Sequence, residues 1–222
     1  MKSLNLPTIC FFIVLVTSFS VAQIKTESTN KDDIGQSIVA AQDLLKKGDG
    51  TGAISILQTA LQSHPQNASI RYWLGKVFYL QGNYQKAIEN LSIAFDKFPK
   101  NSAEQTQSVQ MLGLAHYVLG HLAEAIPYFE KITQWQPENS EVAYALGVCY
   151  IQTRQPEKSR DLFARLFKVQ TNSASAYLLN AKMLMRQQFE ETAQVELNKA
   201  LELADSTRRQ RFVFADSADD FR

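Results

Sequence analysis

The side chains that could do chemistry are few, and their spacing does not bring them together. The chain has three histidines, His64, His116 and His121. The closer two are five residues apart, whereas histidines that bind a metal from one helical face are usually four apart. The acidic pairs Asp32-Asp33 and Glu190-Glu191 stand where helices are expected to begin, which favours a role at the positive end of a helix dipole. None of these groups predicts a catalytic or metal site.

The known local motifs of catalysis are also absent from the sequence. It contains no glycine-rich phosphate loop, no nucleophile elbow and no spaced set of metal ligands. We therefore expect a protein that is not an enzyme and that binds neither a cofactor nor a metal ion. Its function must then depend on the surface that its helices create.

The elements themselves are indicated by a repeated motif in which Leu-Gly is followed three residues later by a ring. The copies are Leu74-Gly75 with Phe78, Leu112-Gly113 with His116, and Leu146-Gly147 with Tyr150. The first two copies are followed by an Ala, a large apolar residue and a proline, whereas the third is followed by Ser159, Phe163 and Thr171. The distance from Gly113 to Gly147, like that from Pro65 to Pro99, is 34 residues. A fixed period of this length indicates one supersecondary unit, copied and stacked.

The motif and its period resemble those of the tetratricopeptide repeat family. The resemblance implies an all-α solenoid of about five antiparallel helix pairs, wound as a right-handed superhelix. The units are predicted at residues 34–67, 68–101, 106–139, 140–173 and 174–207. The four residues from Ser102 to Gln105 fall outside this register, and we interpret them as a longer start to the first helix of unit three. His116 stands where the pattern has an aromatic ring, which predicts weaker packing there.

Each residue type that recurs in the pattern has a steric interpretation. Small residues such as Gly75, Gly113 and Gly147 are expected where two helices approach closely, and large ones such as Leu91 and Phe129 fill the space between them. Gly48, Gly82 and Gly120 should end the first helices in the left-handed conformation, and Pro156 should open the second helix of unit four. The apolar spacing is helical, and nothing in it predicts a strand.

The first 22 residues have the features of an export signal. Lys2 is basic, residues 9–16 are apolar, and Ser20-Val21-Ala22 matches a small-x-small cleavage site. The apolar run is too short to span a bilayer permanently. We expect cleavage near Ala22, a polar linker at 23–33, and a periplasmic or secreted protein without permanent membrane insertion. Cleavage would leave Cys149 as the single cysteine, with no disulfide within the chain.

The charge balance argues against a nucleic-acid partner. Of the 23 basic residues, Lys2 would be lost with the leader, which leaves 22 basic against 22 acidic residues. Phosphate binding depends on clustered cations, and the only short run is Arg208, Arg209 and Arg211 in the predicted tail at 208–222. We interpret that run as part of a solvated tail or of a segment that covers unit five.

The resemblance to the repeat family also implies where a partner binds. In that family the first helices of successive units line a concave groove. Carried onto this chain, the implied groove residues are Tyr72, Lys76, Tyr79, Gln110, Leu114, Tyr117, Tyr144, Val148, Ile151, Lys182 and Arg186, with Leu178 and Met185 beside them. The tyrosines should form an aromatic strip across units two to four, because tyrosine gives a large contact area at low entropic cost.

The partner is expected to be a protein or peptide of apolar or aromatic character. Family members that hold acidic chaperone tails use Lys, Asn and Arg at places that here are Ile38, Gln42, Tyr72, Gln107 and Met111. That clamp is absent, so the resemblance implies a helix or extended segment as the ligand. The sequence leaves two functions open: an exported interaction scaffold, or a structural module whose units stack end to end into a homo-oligomer.

Overall fold

The computed structural model describes residues 33–204. The predicted leader at 1–22, nearly all of the linker and the tail at 208–222 lie outside the described residues. Within 33–204 the secondary structure consists of helices without strands. They are α1 (33–46), α2 (Gly50–Ser63), α3 (Ala68–Leu80), α4 (Tyr84–Ala94), α5 (Ala103–Val118), α6 (Leu122–Trp135), α7 (Ser140–Gln152), α8 (Pro156–Leu166), α9 (Ala174–Arg186) and α10 (Glu190–Leu203). The predicted all-α class is confirmed.

Odd-numbered and even-numbered helices form antiparallel pairs. Only a short turn separates the two helices of a pair, and each even-numbered helix also packs against the first helix of the next pair. Gly82 and Gly120 occupy these turns with φ of 75° and 76°, in the left-handed region that glycine adopts without a β-carbon penalty. The result is a linear stack, in which each pair covers the apolar face of its neighbour.

The fourth and fifth turns keep this geometry without glycine. Arg154 and Gln188 stand at the corresponding places with φ of 59° and 63°. Pro156 does begin α8, as the sequence predicts, but it does not replace the left-handed turn that precedes it. The left-handed turn therefore forms between paired helices with or without glycine. At Arg154 and Gln188 it carries the steric penalty of a β-carbon.

The glycines of the repeated motif lie where a helix pair crosses. A β-carbon added at Gly75 would lie 2.7 Å from Cγ of Leu91, and one at Gly113 would lie 3.1 Å from the ring of Phe129. Leu91 and Phe129 are themselves fully buried. The predicted pairing of a small residue with a large one is therefore confirmed.

The insertion between units two and three lengthens α5 at its start. Helices α3, α7 and α9 each have 13 residues, whereas α5 has 16 and begins at Ala103. Ser102 caps it, because its hydroxyl accepts a hydrogen bond from the Gln105 amide. The stack continues through this point, as expected.

A polar cluster is buried where the last two pairs meet. Ser159 of α8 donates to Asn180 of α9, and Asn180 donates through Nδ2 to the carbonyl of Pro156 at 3.0 Å. Beside them, Nη1 of Arg160 lies 2.9 Å from Oε1 of Glu196 on α10. The other helix pairs are joined mainly by apolar contacts, so this cluster distinguishes the junction between α8, α9 and α10.

Candidate functional site

The residues predicted to line a groove differ widely in exposure. Leu114, Tyr144 and Arg186 are exposed, and the half-buried members are Lys76, Tyr79, Gln110, Tyr117 and Lys182. We call the surface formed by these eight residues the first-helix face. They lie on α3, α5, α7 and α9, which are the first helices of four successive pairs. The structure does not test whether these residues contact a partner, so their role in binding stays a prediction.

Three predicted groove residues, Tyr72, Val148 and Ile151, are buried instead, with exposed fractions of 4%, 7% and 1%. The expectation of an open surface is wrong for them. In α7 every residue from Leu146 to Ile151 is buried. Six consecutive residues span the whole circumference of a helix, so this half of α7 is enclosed on all sides. Val148 and Ile151 therefore belong to the packing between pairs.

Tyr72 is buried by its neighbours on α3 and by the connection after α4. Its ring packs edge-on against Trp73 and Phe98, with centroid distances of 5.5 and 5.7 Å. Its hydroxyl donates to Oε1 of Gln107 at 2.6 Å. Burial, together with the nearby Glu104, raises the pKa of Tyr72 to about 12, so the hydroxyl stays protonated.

Lys76 also donates a hydrogen bond to Gln107. Nζ of Lys76 donates to Oε1 of Gln107 at 3.1 Å and lies 4.8 Å from the Trp73 ring centroid, within the range of a cation–π contact. Gln107 was not among the groove residues predicted from sequence. The signal was available, because Gln107 is the second residue of unit three and that place faces the groove in the family.

Tyr79 and Tyr117 use part of their rings for packing. Tyr79 packs edge-on against Tyr84 at 5.6 Å, and Tyr117 against Phe129 at 5.8 Å. Burial raises the pKa of both phenols, and Tyr144 contributes to the increase at Tyr117. Two half-buried rings and one exposed ring replace the continuous strip that was expected.

Exposed apolar side chains that the prediction missed extend this face. Leu80 ends α3 and is 63% exposed, and Val118 ends α5 and is 57% exposed. Each directly follows one of the two half-buried tyrosines, Tyr79 and Tyr117. Leu114 and Tyr144, at 38% and 42%, complete the apolar set. Exposed apolar surface is typical of sites that bind another molecule, so these four side chains are candidates for contact with a partner.

His116 and Cys149 have side chains of types used in catalysis, but both lie in packed surroundings. His116 stacks on Tyr128 with a centroid distance of 5.7 Å, so the histidine fills the aromatic place of the repeat. Burial and the nearby His121 lower the pKa of His116, against the opposing effect of Glu124. Burial raises the pKa of the Cys149 thiol to about 11, which leaves little thiolate at neutral pH. Among residues 33–204, no group of three or more His, Cys, Asp or Glu side chains could hold a metal ion.

A concavity lies beside the first two helix pairs. It has a volume of about 670 Å³ and opens widely to solvent between α2, α3 and α4. Leu61, Leu74 and Phe78 contribute apolar surface to it, and Arg71 and Lys86 lie among its lining residues. The guanidinium of Arg71 is already bound to the Pro65 carbonyl, at 2.8 Å from Nη2.

Two family models, each described as a tetratricopeptide repeat, match residues 38–102 and 119–183. Together they cover more than half of the chain. Among curated proteins, the chain is 28% identical over 153 residues to the Protein CTR9 homolog of Arabidopsis thaliana, and 30% identical over 97 residues to the human Intraflagellar transport protein 88 homolog. These alignments cover 67% and 43% of this chain but only 14% and 12% of the relatives. The chain thus spans a small part of the length of the curated proteins it matches.

Solved structures resemble most of the chain in fold. MamA from Desulfovibrio magneticus RS-1 superposes with a TM-score of 0.54 at 19% identity, covering 78% of this chain and 95% of that one. YrrB, described as a TPR protein with an unusual peptide-binding site, also gives 0.54 at 19% identity and covers 81% of this chain and 89% of that one. At such identities the likeness shows the fold. In the part of the chain that the structure describes, no helix is long and apolar enough to cross a bilayer.

Proposed function

Because the chain belongs to the tetratricopeptide repeat family, we propose that it is an exported interaction scaffold that binds a protein or peptide of apolar or aromatic character on its first-helix face. The observation that carries this proposal is the exposure of Leu114 and Tyr144 on the successive first helices α5 and α7, together with that of Leu80 and Val118, which end α3 and α5. Burying such side chains against a partner removes apolar area from water, at about 25 cal/mol per Å².

The family and its neighbours support a binding role in general terms. Tetratricopeptide repeat proteins are generally scaffolds without catalytic activity, and YrrB is described by its peptide-binding site. A stack of helix pairs exposes one long surface to which each unit adds a few side chains. A partner segment that follows this surface would contact several units at once.

Export is the second part of the proposal and depends on the sequence alone. The basic start, the apolar run and the Ser20-Val21-Ala22 site favour a periplasmic or secreted protein. Expression of the full chain followed by fractionation and N-terminal sequencing tests it. We expect the protein outside the cytoplasm with Gln23 as its first residue, and recovery of the uncut chain in the membrane fraction would contradict export.

The binding surface is tested by a double variant and a matched control. Leu114→Ser with Tyr144→Ser removes one exposed apolar side chain from α5 and one from α7, and neither position is buried. Ile93→Ser is the control, since Ile93 is 45% exposed but lies on α4, a second helix. Immobilised wild-type protein is compared with both variants for the proteins that each captures from an envelope extract, quantified by mass spectrometry.

We expect the double variant to lose the proteins that both the wild type and Ile93→Ser retain. Thermal unfolding of all three proteins verifies that the stack is intact. Equal capture by the wild type and the double variant would contradict binding on the first-helix face. Loss of the same proteins in Ile93→Ser would show that capture depends on general surface hydrophobicity.

End-to-end assembly is the alternative function, and the last pair supplies an observation for it. Leu197 of α10 is only half-buried, whereas its counterparts Leu91 and Phe129 are fully buried. Val195 and Leu203 of the same helix are 67% and 45% exposed. Sedimentation of the purified chain separates the two functions. A concentration-dependent oligomer that Val195→Lys dissociates favours self-assembly, and a monomer at all concentrations contradicts it.

A further inference from the structure

We infer that Lys76 and Gln107 together bind a side-chain carboxylate of the partner, an aspartate or glutamate within an otherwise apolar segment. This inference rests on the proposed protein-binding function and deepens it. It also adds an acidic group to the apolar or aromatic ligand expected from the sequence. The clamp residues known from acidic-tail binders are absent here. The argument depends on which hydrogen-bonding atoms the two side chains have already used.

The orientation of the Gln107 amide follows from its two neighbours. Its Oε1 lies 2.6 Å from the Tyr72 hydroxyl and 3.1 Å from Nζ of Lys76. An ammonium can only donate, so the atom facing Lys76 must be the amide oxygen. Both lone pairs of that oxygen are then occupied. The Nε2 group, with its two N–H donors, is directed away from Lys76 and Tyr72.

Nothing else in the described chain accepts from that amide nitrogen. No hydrogen bond joins Nε2 of Gln107 to another residue of 33–204, and the Gln107 side chain is exposed. Two donors therefore face the solvent beside the first-helix face. A partner group placed there must be an acceptor.

Lys76 contributes a charge that is held in place. Its ammonium lies 4.8 Å from the Trp73 centroid and 5.8 Å from the Tyr72 centroid, and the bond to Gln107 uses one of its three donors. It forms no ion pair within the described chain. Glu104 lies near enough to raise the pKa of Tyr72, but not within ion-pair distance of Lys76. The cation is thus fixed by rings and an amide, and its charge is uncompensated.

A carboxylate matches this arrangement because its oxygens only accept hydrogen bonds and its charge is opposite to that of Lys76. One carboxylate oxygen can accept a hydrogen bond from the Lys76 ammonium, and the other can accept one from the Gln107 amide. Charge-assisted bonds of this type are stronger than neutral ones. Lys76 and Gln107 lie on α3 and α5, inside the stack, with the first helix pair before them and α7 after them. A segment can therefore run past the site, so we assign the carboxylate to a side chain and not to a chain terminus.

The probe is a set of peptides selected for binding to the full chain from a random display library. We expect the selected sequences to contain an Asp or Glu next to apolar or aromatic residues. One such peptide is then synthesised with an amidated C-terminus, once with its acid and once with the matching amide, and both are titrated against wild type and Lys76→Gln. The acid form should bind wild type about tenfold more tightly than the amide form. With Lys76→Gln the two forms should bind equally, because this double-mutant cycle isolates the contact between Lys76 and the carboxylate of the peptide.

Two further variants complete the test. Gln107→Glu keeps acceptors for Tyr72 and Lys76 but removes the amide donors and neutralises the charge, so it should weaken the acid peptide as much as Lys76→Gln. Lys100→Gln removes an exposed cation in the loop before α5 and should have no effect. Since Lys76 and Gln107 are partly or fully exposed, folding of the variants can be verified by circular dichroism.

The outcomes separate this inference from the function on which it rests. Peptides that bind through apolar residues alone, with no preference for acid over amide, overturn the carboxylate site and leave the scaffold function intact. A peptide that binds with a free C-terminus but not with the amidated one assigns the contact to a terminal carboxylate, which also overturns it. If no peptide from the library binds, both the inference and the peptide-binding function fail.

Discussion

Arg160 of α8 and Glu196 of α10 form an ion pair with an N–O distance of 2.9 Å, and their side chains are only 12% and 8% exposed. The guanidinium also stacks on the Tyr177 ring at 4.3 Å. Nε of Arg160 and Oε2 of Glu196 have no hydrogen-bond partner. The junction between the fourth and fifth pairs thus holds two opposite charges away from water, where each depends on the other.

The first prediction is that breaking this pair costs more than removing it. Arg160→Met leaves the Glu196 carboxylate buried without its cation, which should lower the free energy of unfolding by about 3–5 kcal/mol. Arg160→Met combined with Glu196→Leu removes both charges and should cost much less. Urea unfolding of the three proteins measures this.

Exposed Lys46, paired with Asp43 at 3.0 Å on α1, supplies the control. Lys46→Met should leave the urea midpoint nearly unchanged, because surface pairs contribute little. If the double variant is as unstable as Arg160→Met, the charges are not coupled and the packing of their alkyl chains determines the effect.

The second prediction concerns pH. Burial raises the pKa of Glu196 above its ordinary value of 4.5, although Asn180 and Arg160 act in the opposite direction. A raised pKa means that the folded protein binds this proton more tightly than the unfolded chain does. The resulting stabilisation is fully present below pH 4.5 and is lost as the pH rises through the folded pKa.

Comparison with Glu196→Gln isolates this contribution, because the variant cannot titrate at that position. The stability of the wild type relative to the variant should therefore decrease as the pH rises from below 4.5 towards neutrality. Urea midpoints at a series of pH values provide the measurement. A relative stability that increases over this range would show that attraction to Arg160 outweighs the cost of burial.

The third prediction tests the helix crossings. Gly147→Ala places a methyl group against the ring of Phe163, which is almost completely buried. We expect a loss of about 1–3 kcal/mol. Truncation of a large residue at such a crossing should cost more, and Leu91→Ala, opposite Gly75, is expected to lose about 2–5 kcal/mol through the cavity it leaves.

Gly35 is the matched control for this substitution. It lies in α1, and a β-carbon there would meet nothing within 4 Å. Gly35→Ala should therefore stabilise the protein slightly, because alanine favours the helix by about 1 kcal/mol over glycine. Equal effects at the two glycines would mean that backbone entropy, and not close contact, explains the Gly147 position.

The helix pairs and their crossings could be predicted from sequence because their steric requirement repeats. Gly75 and Leu91, or Gly113 and Phe129, recur at fixed spacing, and only a small residue fits where the structure places the large one. The longer start of α5 could be inferred in the same way, since an insertion of about one helical turn preserves the helical register. Regular local contacts of this kind leave a periodic signal in the chain.

The exposure of individual site residues could not be predicted, as Tyr72 and Tyr144 show. They occupy the same place in units two and four, yet they are 4% and 42% exposed. The difference comes from Trp73, Phe98 and Gln107, which enclose Tyr72. No ring contact of this type involves Tyr144 in the described part of the chain. The period determines which face a residue occupies, but the side chains that cover it come from other positions.

The buried pair at the last junction was missed for a similar reason. Arg160 and Glu196 are 36 residues apart, and in the sequence each has the character of a solvated charge on a helix. Their burial results from the packing of α8 against α9 and α10, which brings them together across two units. Sequence reasoning weights charged residues towards the surface, and only the assembled stack shows that these two are enclosed.

The last prediction uses the two left-handed turns that lack glycine. Arg154 and Gln188 have φ of 59° and 63°, close to the values of Gly82 and Gly120. A side chain in this region costs about 1–2 kcal/mol, whereas glycine adds about 0.4–1 kcal/mol of backbone entropy to the unfolded state. Gln188→Gly should therefore raise the free energy of unfolding by up to about 1 kcal/mol, and Gly120→Gln should lower it. Thermal unfolding of both variants measures the two effects, and opposite signs at equivalent turns are the expected result. If Gln188→Gly is destabilising, contacts of the Gln188 side chain outweigh the backbone strain at that turn.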